Sequence, residues 1–219
     1  MGPILAGHRV LRPGGSKAQA MRWSRGVAHL LGPVDWAALP PAVRGRFTAH
    51  AEAMRFTGTG RFEANLAGRV FAAIGLLFGR PLPLRTGEAR VDVEVRDDRG
   101  GQTWARRYGF ARGVEAVVSA KHLGRGGAWL EERAGVLVMR LGLRRLGEAL
   151  LFESQGFRLR LGPIDIPLPD VLTPGRMRMT HEALTAERFV FTLEARHPWF
   201  GVTFRQVCDV HDAEEPRPC

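Results

Sequence analysis

The chain predicts an α+β domain made mainly of antiparallel β-strand, and three observations carry that prediction. Apolar and polar residues alternate through most of the stretch from 56 to 210. Glycine-containing turns separate these runs at hairpin spacing. Strands and helices do not alternate as strand–helix–strand units, which argues against a parallel, doubly wound sheet. The expected architecture is a long curved sheet or partly closed barrel of about nine or ten strands, packed on one or two N-terminal helices. One globular domain is expected over 21–211, after a disordered leader (1–20) and before a frayed tail (212–219).

Taken in order, the first helix uses Met21, Val27, Leu30 and Leu31, and Gly32-Pro33 stops it. Asp35 is placed to cap a second helix, whose apolar face is Trp36, Leu39, Val43 and Phe47, with Pro40 and Pro41 near its start. Phe56 to Leu66 reads as a strand in which Gly58 and Gly60 suggest a bend or bulge. Arg69–Phe78 reads as a short apolar helix ended by Gly79 and Pro81. The clearest strand follows, with Ala89, Val91, Val93 and Val95 alternating with Arg90, Asp92, Glu94 and Arg96. Asp98-Arg99-Gly100-Gly101 then turns the chain into Gln102–Phe110.

Further strands are expected at Val114–His122, Trp129–Arg133, Gly135–Leu143, Glu148–Gln155 and Phe157–Leu161. Pro163, Pro167, Pro169 and Pro174 mark an extended loop. Met177–Leu184, Arg188–Arg196 and Val202–Val210 close the domain.

Composition narrows the function classes. The formal charge is +10, and among 32 cationic residues only Lys17 and Lys121 are lysine. Codon bias accounts for arginine replacing lysine, but not for 32 cations against 22 anions. The cations are spread along the chain without a compact basic run, so sequence-specific nucleic-acid binding is not expected. The longest apolar segment, Val70–Phe78, is far below the roughly 20 residues needed to cross a bilayer. Two cysteines, Cys208 in a strand and Cys219 at the end, fit a reducing compartment, and a cytoplasmic location is expected. The first twenty residues hold no apolar stretch long enough for an export signal.

Several short motifs resemble a bacterial family described only as domain of unknown function 4166. They are Leu39-Pro40-Pro41-Ala42-Val43-Arg44, Arg61-Phe62, Leu77-Phe78-Gly79 with Pro81, and Trp104-x-Arg106-x-Tyr108-Gly109. Gly135-Val136-Leu137-Val138, Pro167-Leu168-Pro169 and Pro198-x-Phe200-Gly201 complete the set. The resemblance implies a domain that stands alone or is appended to reductase-like NAD(P)-dependent domains. It implies no catalytic residues, and the leader is a departure from it.

No motif points to a cofactor or a metal. Cys208-x-x-His211 is the one close Cys/His pair, and a second pair is lacking for a zinc site. Gly58-x-Gly60 and Gly124-x-Gly126-Gly127 do not continue into a phosphate-binding spacing, and they read as turns. Arg158 and Arg160, like Arg176 and Arg178, alternate with apolar neighbours and read as a solvated outer face, or as a docking patch for an acidic surface.

The exception is Trp104-Ala105-Arg106-Arg107-Tyr108-Gly109-Phe110. Period two puts Trp104, Arg106, Tyr108 and Phe110 on one aromatic face, so Arg106 points toward the core. A buried guanidinium is costly unless it is paired or stacked. Arg106 is expected either to be sandwiched between Trp104 and Tyr108 and bonded to a carboxylate or carbonyls, or to anchor an anion at the floor of an apolar cavity.

The leading expectation is a non-enzymatic domain holding a small amphipathic ligand with an acidic head. One rival is an enzyme, or the partner of a reductase-type enzyme, with a site that no motif reveals. The other is an interaction module using a basic outer face on protein, nucleic acid or anionic membrane. A cavity above roughly 300 Å³ lined by Trp104 and Arg106 favours a ligand or substrate, and a filled core with a contiguous arginine patch favours the interaction module.

Overall fold

The computed structural model describes residues 17–48, 50, 53–98 and 101–213. The expectations for residues 1–16, for the turn residues Arg99-Gly100 and for the tail from 214 lie outside these residues.

Eleven antiparallel strands form one sheet, and the sheet closes. The strands are β1 (Met54–Ala64), β2 (Gly87–Asp98), β3 (Gly101–Phe110), β4 (Gly113–Leu123), β5 (Leu130–Ala134) and β6 (Leu137–Leu146). They continue as β7 (Ala149–Leu161), β8 (Ile164–Leu168), β9 (Arg176–Ala183), β10 (Arg188–His197) and β11 (Gly201–Asp212). Their order is β6-β5-β4-β3-β2-β1-β11-β10-β9-β7-β8, and β6 also pairs with β7. Ten strands therefore make a closed barrel, with β8 hung on the outside of β7. Closure removes the edges that a curved open sheet would leave unpaired.

The alternation of β2 and β3 sets the register as the sequence predicts. Ala89, Val91 and Val95 are buried, as are Trp104, Arg106, Tyr108 and Phe110, while Arg107 is exposed. Gly58 and Gly60 lie in an unbroken ladder between β2 and β11, so the suggested bulge is not there.

Three helices fill one end of the barrel: α1 (Lys17–Leu31), α2 (Pro33–Ala38) and α3 (Pro41–Arg46). Their apolar side chains Trp23, Val27, Leu39, Val43 and Phe47 are buried in the core. Phe47 reaches the barrel interior, with its ring 5.8 Å from Trp104, 5.2 Å from Phe152 and 4.9 Å from His181. Gln102 fixes this plug by donating to the carbonyls of Arg46 (3.1 Å) and Thr48 (3.2 Å). At the opposite end, α4 (Leu66–Gly75) lies against β11 and β1, and the segment from Pro81 to Arg85 turns inward over the mouth. Glu115 ties that segment down, accepting from Leu84 N (2.7 Å) and Arg85 Nη1 (3.0 Å).

Several boundaries differ from the sequence reading. The first helix starts at Lys17, inside the expected leader, and β11 runs through Asp212 into the expected tail. The second helix is two, because Pro33 and Pro41 each take the first turn of a helix of their own. Asp35 consequently lies in the first turn of α2, and Gly32 is the cap. Asn65 caps α4 through Gly68 N (2.8 Å), so that helix begins at Leu66, which leaves the β1 strand it was assigned to. Glu148–Gln155 and Phe157–Leu161 are one strand, β7, carried through Gly156 at φ 132°. The proline-marked loop contains β8.

Candidate functional site

The barrel interior is polar where the sequence suggests an apolar core. Four strands supply it. β3 contributes Arg106 and Tyr108, β4 contributes Ser119 and Lys121, β5 contributes Glu132, and β11 contributes Gln206, all of them buried. Arg106 Nη1 donates to Ser119 Oγ (3.0 Å), and Ser119 Oγ donates to Glu132 Oε1 (2.6 Å). Lys121 Nζ lies 3.0 Å from the same carboxylate oxygen, whereas Arg106 Nη2 is 3.9 Å from it. Lys121 and Glu132 thus form the tight pair, and Arg106 is left with one hydrogen bond to a hydroxyl and a long approach to a carboxylate already engaged.

Electrostatics follow from that geometry. Burial raises the Glu132 carboxyl, but Lys121, Arg106 and the Ser119 hydroxyl outweigh it and hold the group below the usual carboxylate range. Burial lowers Lys121, and Arg106 adds to this, while Glu132 pulls the other way. His181 sits among Phe47, Trp104, Phe152 and Phe191, where burial and then the nearby cations push it well below its usual value. Burial pushes the Tyr108 phenol up to about 12 and the Cys208 thiol up to about 11. Gln206 Nε2 links the two, 3.3 Å from Tyr108 Oη and 3.2 Å from Cys208 Sγ.

The guanidinium of Arg106 faces aromatic rings on two sides, Trp104 at 5.6 Å and Phe191 at 5.8 Å. The expected sandwich between Trp104 and Tyr108 is therefore corrected in one partner. The second ring comes from β10 across the barrel, since Tyr108 turns toward Phe62 (4.7 Å). Phe110 is buried against Phe62 (5.2 Å) and stays away from Arg106.

Two cavities meet at Arg106. One, of about 50 Å³, lies under Pro81–Pro83 and is bounded by Arg106, Ser119, Glu132 and a largely apolar wall that includes Met139, Met177 and Met179. The other, of about 20 Å³, adjoins Trp104, Arg106, Tyr108, His181 and Cys208. Both are far below the roughly 300 Å³ of a formed ligand pocket. The larger suits a few water-sized groups. Among the described residues, Glu132 Oε2, Trp104 Nε1 and His181 Nδ1 are buried here without a hydrogen-bond partner.

A wider concavity, about 750 Å³, is an open face outside β1, β2 and β11. Arginines there meet carboxylates, as in Arg61–Glu63 (2.8 Å) and Arg188–Asp209 (2.6 Å), so the face neutralises itself. The Arg158/Arg160 pair is likewise engaged, by Asp165 and Glu131, and Arg178 by Glu153.

Cys208 is buried and His211 exposed on β11, and no group of three metal-binding side chains occurs among the described residues. Among the described residues no helix is long and apolar enough to cross a membrane.

Sequence reasoning missed Ser119, Lys121 and Glu132. On β4 the apolar face is Val114, Ala116 and Val118, yet it is the face of Glu115, Val117, Ser119 and Lys121 that points inward. The available signal is Lys121 itself, the one lysine in a strand of a chain that writes every other cation but Lys17 as arginine.

The chain belongs to the family described as a domain of unknown function (DUF4166), whose model matches residues 39–209. No curated protein matches it.

Proposed function

We propose that the barrel is a binding domain for a small amphipathic anion whose acidic head pairs with Arg106. The observation that carries this reading is the charge balance of the cluster on β3, β4 and β5: two buried cations, Arg106 and Lys121, share the one carboxylate of Glu132, and Lys121 holds that carboxylate more closely. A buried unbalanced guanidinium is costly on its own, and a carboxylate or phosphate head group would balance it. Arg106 borders both cavities, and Ser119 lies beside it to share the anion.

The apolar part of the ligand would take the space now filled by Met139, Met177 and Met179. Methionine is the side chain best able to repack around a guest. Entry would go past Pro81–Pro83, which is anchored by its neighbours Leu84 and Arg85. The roughly 50 Å³ present means that the ligand opens the space it occupies.

The test uses the full chain, octanoate and octanol as probes, and native mass spectrometry of protein purified from its own host. Octanoate should raise the melting temperature and octanol should not. A ligand at about 100 times its Kd adds roughly 2.7 kcal/mol. Arg106→Met should leave the ligand-free protein within about 1 kcal/mol of wild type, because Lys121 and Glu132 remain paired, and should abolish the octanoate response. A loss of about 3–5 kcal/mol in Arg106→Met, with no anionic adduct and no probe response, would mean that Arg106 is a structural cation only.

A further inference from the structure

We propose that the α4 end of the barrel docks on the surface of an anionic lipid bilayer. Its basis is a helix packed the wrong way round for a helix that ends at solvent. α4 turns its small residues inward: Gly68, Ala72 and Gly75 are buried. A Cβ at Gly68 would run into the Thr203 carbonyl, so this face is built for close approach to β11. The large residues consequently point out. Leu66, Val70 and Ile74 form an exposed stripe at the i, i+4, i+8 spacing, and Leu77 follows at 81% exposure.

The stripe continues onto neighbouring turns. Trp199, 71% exposed, and Phe200 form the tip of the β10–β11 turn. Asn65 Nδ2 donates to the Phe200 carbonyl (3.0 Å), and His197 stacks on Phe71 (5.6 Å) and Phe200 (4.6 Å), so this turn and α4 are one surface. His197 Nε2 also lies 3.3 Å from the Val171 carbonyl, next to exposed Leu172. A patch of this kind, with its leucines, tryptophan and phenylalanine outward, marks an interaction site.

Charge selects the occupant. No carboxylate occurs between Glu63 and Glu88, a stretch that contains Arg69, Arg80 and Arg85. Arg85 is engaged by Glu115, while Arg69 and Arg80 have no ion-pair partner among the described residues. Apolar side chains accompanied by two unpaired arginines match a bilayer interface, where aromatic rings seat at the headgroup level and arginines meet anionic lipid. A second copy of the chain fits less well, because a two-fold contact through this patch would bring like arginines together, and the carboxylate beside Leu172, Asp170, already faces Arg176 (3.8 Å). This inference stands apart from the ligand proposal, since it concerns the outside of α4 and needs nothing inside the barrel.

The test is co-sedimentation of the full chain with phosphatidylcholine vesicles, with and without phosphatidylserine, together with tryptophan emission. Partition should require phosphatidylserine and should shift the emission to the blue. Removing Arg69 and Arg80 together (R69Q/R80Q) should weaken partition roughly 5-fold per arginine. Val70→Glu and Trp199→Ser, both at exposed positions, should each weaken it at least about 10-fold while leaving circular dichroism and melting unchanged. Trp199→Ser should also remove the blue shift. Three results would overturn the proposal: no partition onto phosphatidylserine vesicles, partition untouched by Val70→Glu, or lipid-free self-association that Val70→Glu abolishes.

Discussion

The two ends of the barrel solve the same problem in opposite ways. A closed ten-strand barrel is wide enough that its strands alone leave the interior unfilled. At the α1–α3 end the chain sends large apolar side chains inside, with Trp23, Leu39, Val43 and Phe47 all close to fully buried. At the α4 end the large apolar side chains face out, and what turns inward is a short proline-containing segment over a small cavity. One end is stoppered and the other is covered. The difference teaches where hydrophobic surface is used: the first end consumes it in folding, and the second leaves it exposed.

The sharpest way to break this comparison is at the stopper. Phe47 touches Trp104, Phe152 and His181 at ring distances of 4.9 to 5.8 Å, and Gln102 holds the backbone around it. Phe47→Ala should cost about 3–5 kcal/mol, the range for removing a buried aromatic whose surroundings cannot collapse. Urea denaturation measures it. A loss under about 1 kcal/mol would show that the α1–α3 end is no more essential than the other.

Between the two ends lies an interior that titrates. Tyr108 is the only tyrosine in the chain, so phenolate absorbance reports on that residue alone. Its folded-state pKa of about 12 lies above the ordinary 10, and that of Cys208, about 11, lies above 9. A raised acid holds its proton in the folded state after the unfolded chain has lost it. The stability it contributes is therefore present below the unfolded value and is lost as pH climbs to the folded one. Stability should fall between about pH 9 and 12, by about 2–3 kcal/mol for each group. Tyr108→Phe should flatten the upper part of that fall. A phenol titrating near 10 in folded protein would mean that water reaches this interior freely.

How much of this the sequence discloses depends on which force sets each element. Period-two alternation in β2 and β3 is strong because the inward residues there are aromatic or aliphatic, and it placed Trp104, Arg106 and Tyr108 correctly. On β4 the same rule points the wrong way. Val114 and Val118 face out because Lys121 and Ser119 are needed opposite Glu132, a demand set by β5 that no local pattern carries. Closure is legible only in part, since the alternation fits a long curved sheet as well as a partly closed barrel. It rests on the pairing of β6 with β7, and on a β7 that runs unbroken through Gly156, where the sequence invites two strands. The helix boundaries failed for a simpler reason. Pro33 and Pro41 each start a helix, and the periodicity of Trp36, Leu39, Val43 and Phe47 runs across the gap between them.

The smallest expected effect sharpens the comparison most. Leu66 is the first residue of α4, 79% exposed, and its neighbour Asn65 caps the helix without using the leucine side chain. Leu66→Ser removes three carbons that the folded protein already leaves in water, so the folded and unfolded states lose nearly the same hydration cost. Leucine is the better helix former, but the difference is a few tenths of a kcal/mol at most positions and less at a helix end. Stability should therefore change by under about 0.5 kcal/mol, roughly a tenth of the effect of Phe47→Ala. Thermal melts of the two variants side by side give the ratio directly. If Leu66→Ser destabilises the isolated chain by more than about 1 kcal/mol, the leucine is covered in solution by another part of the chain or by a second copy, and the α4 end is not the open surface described here.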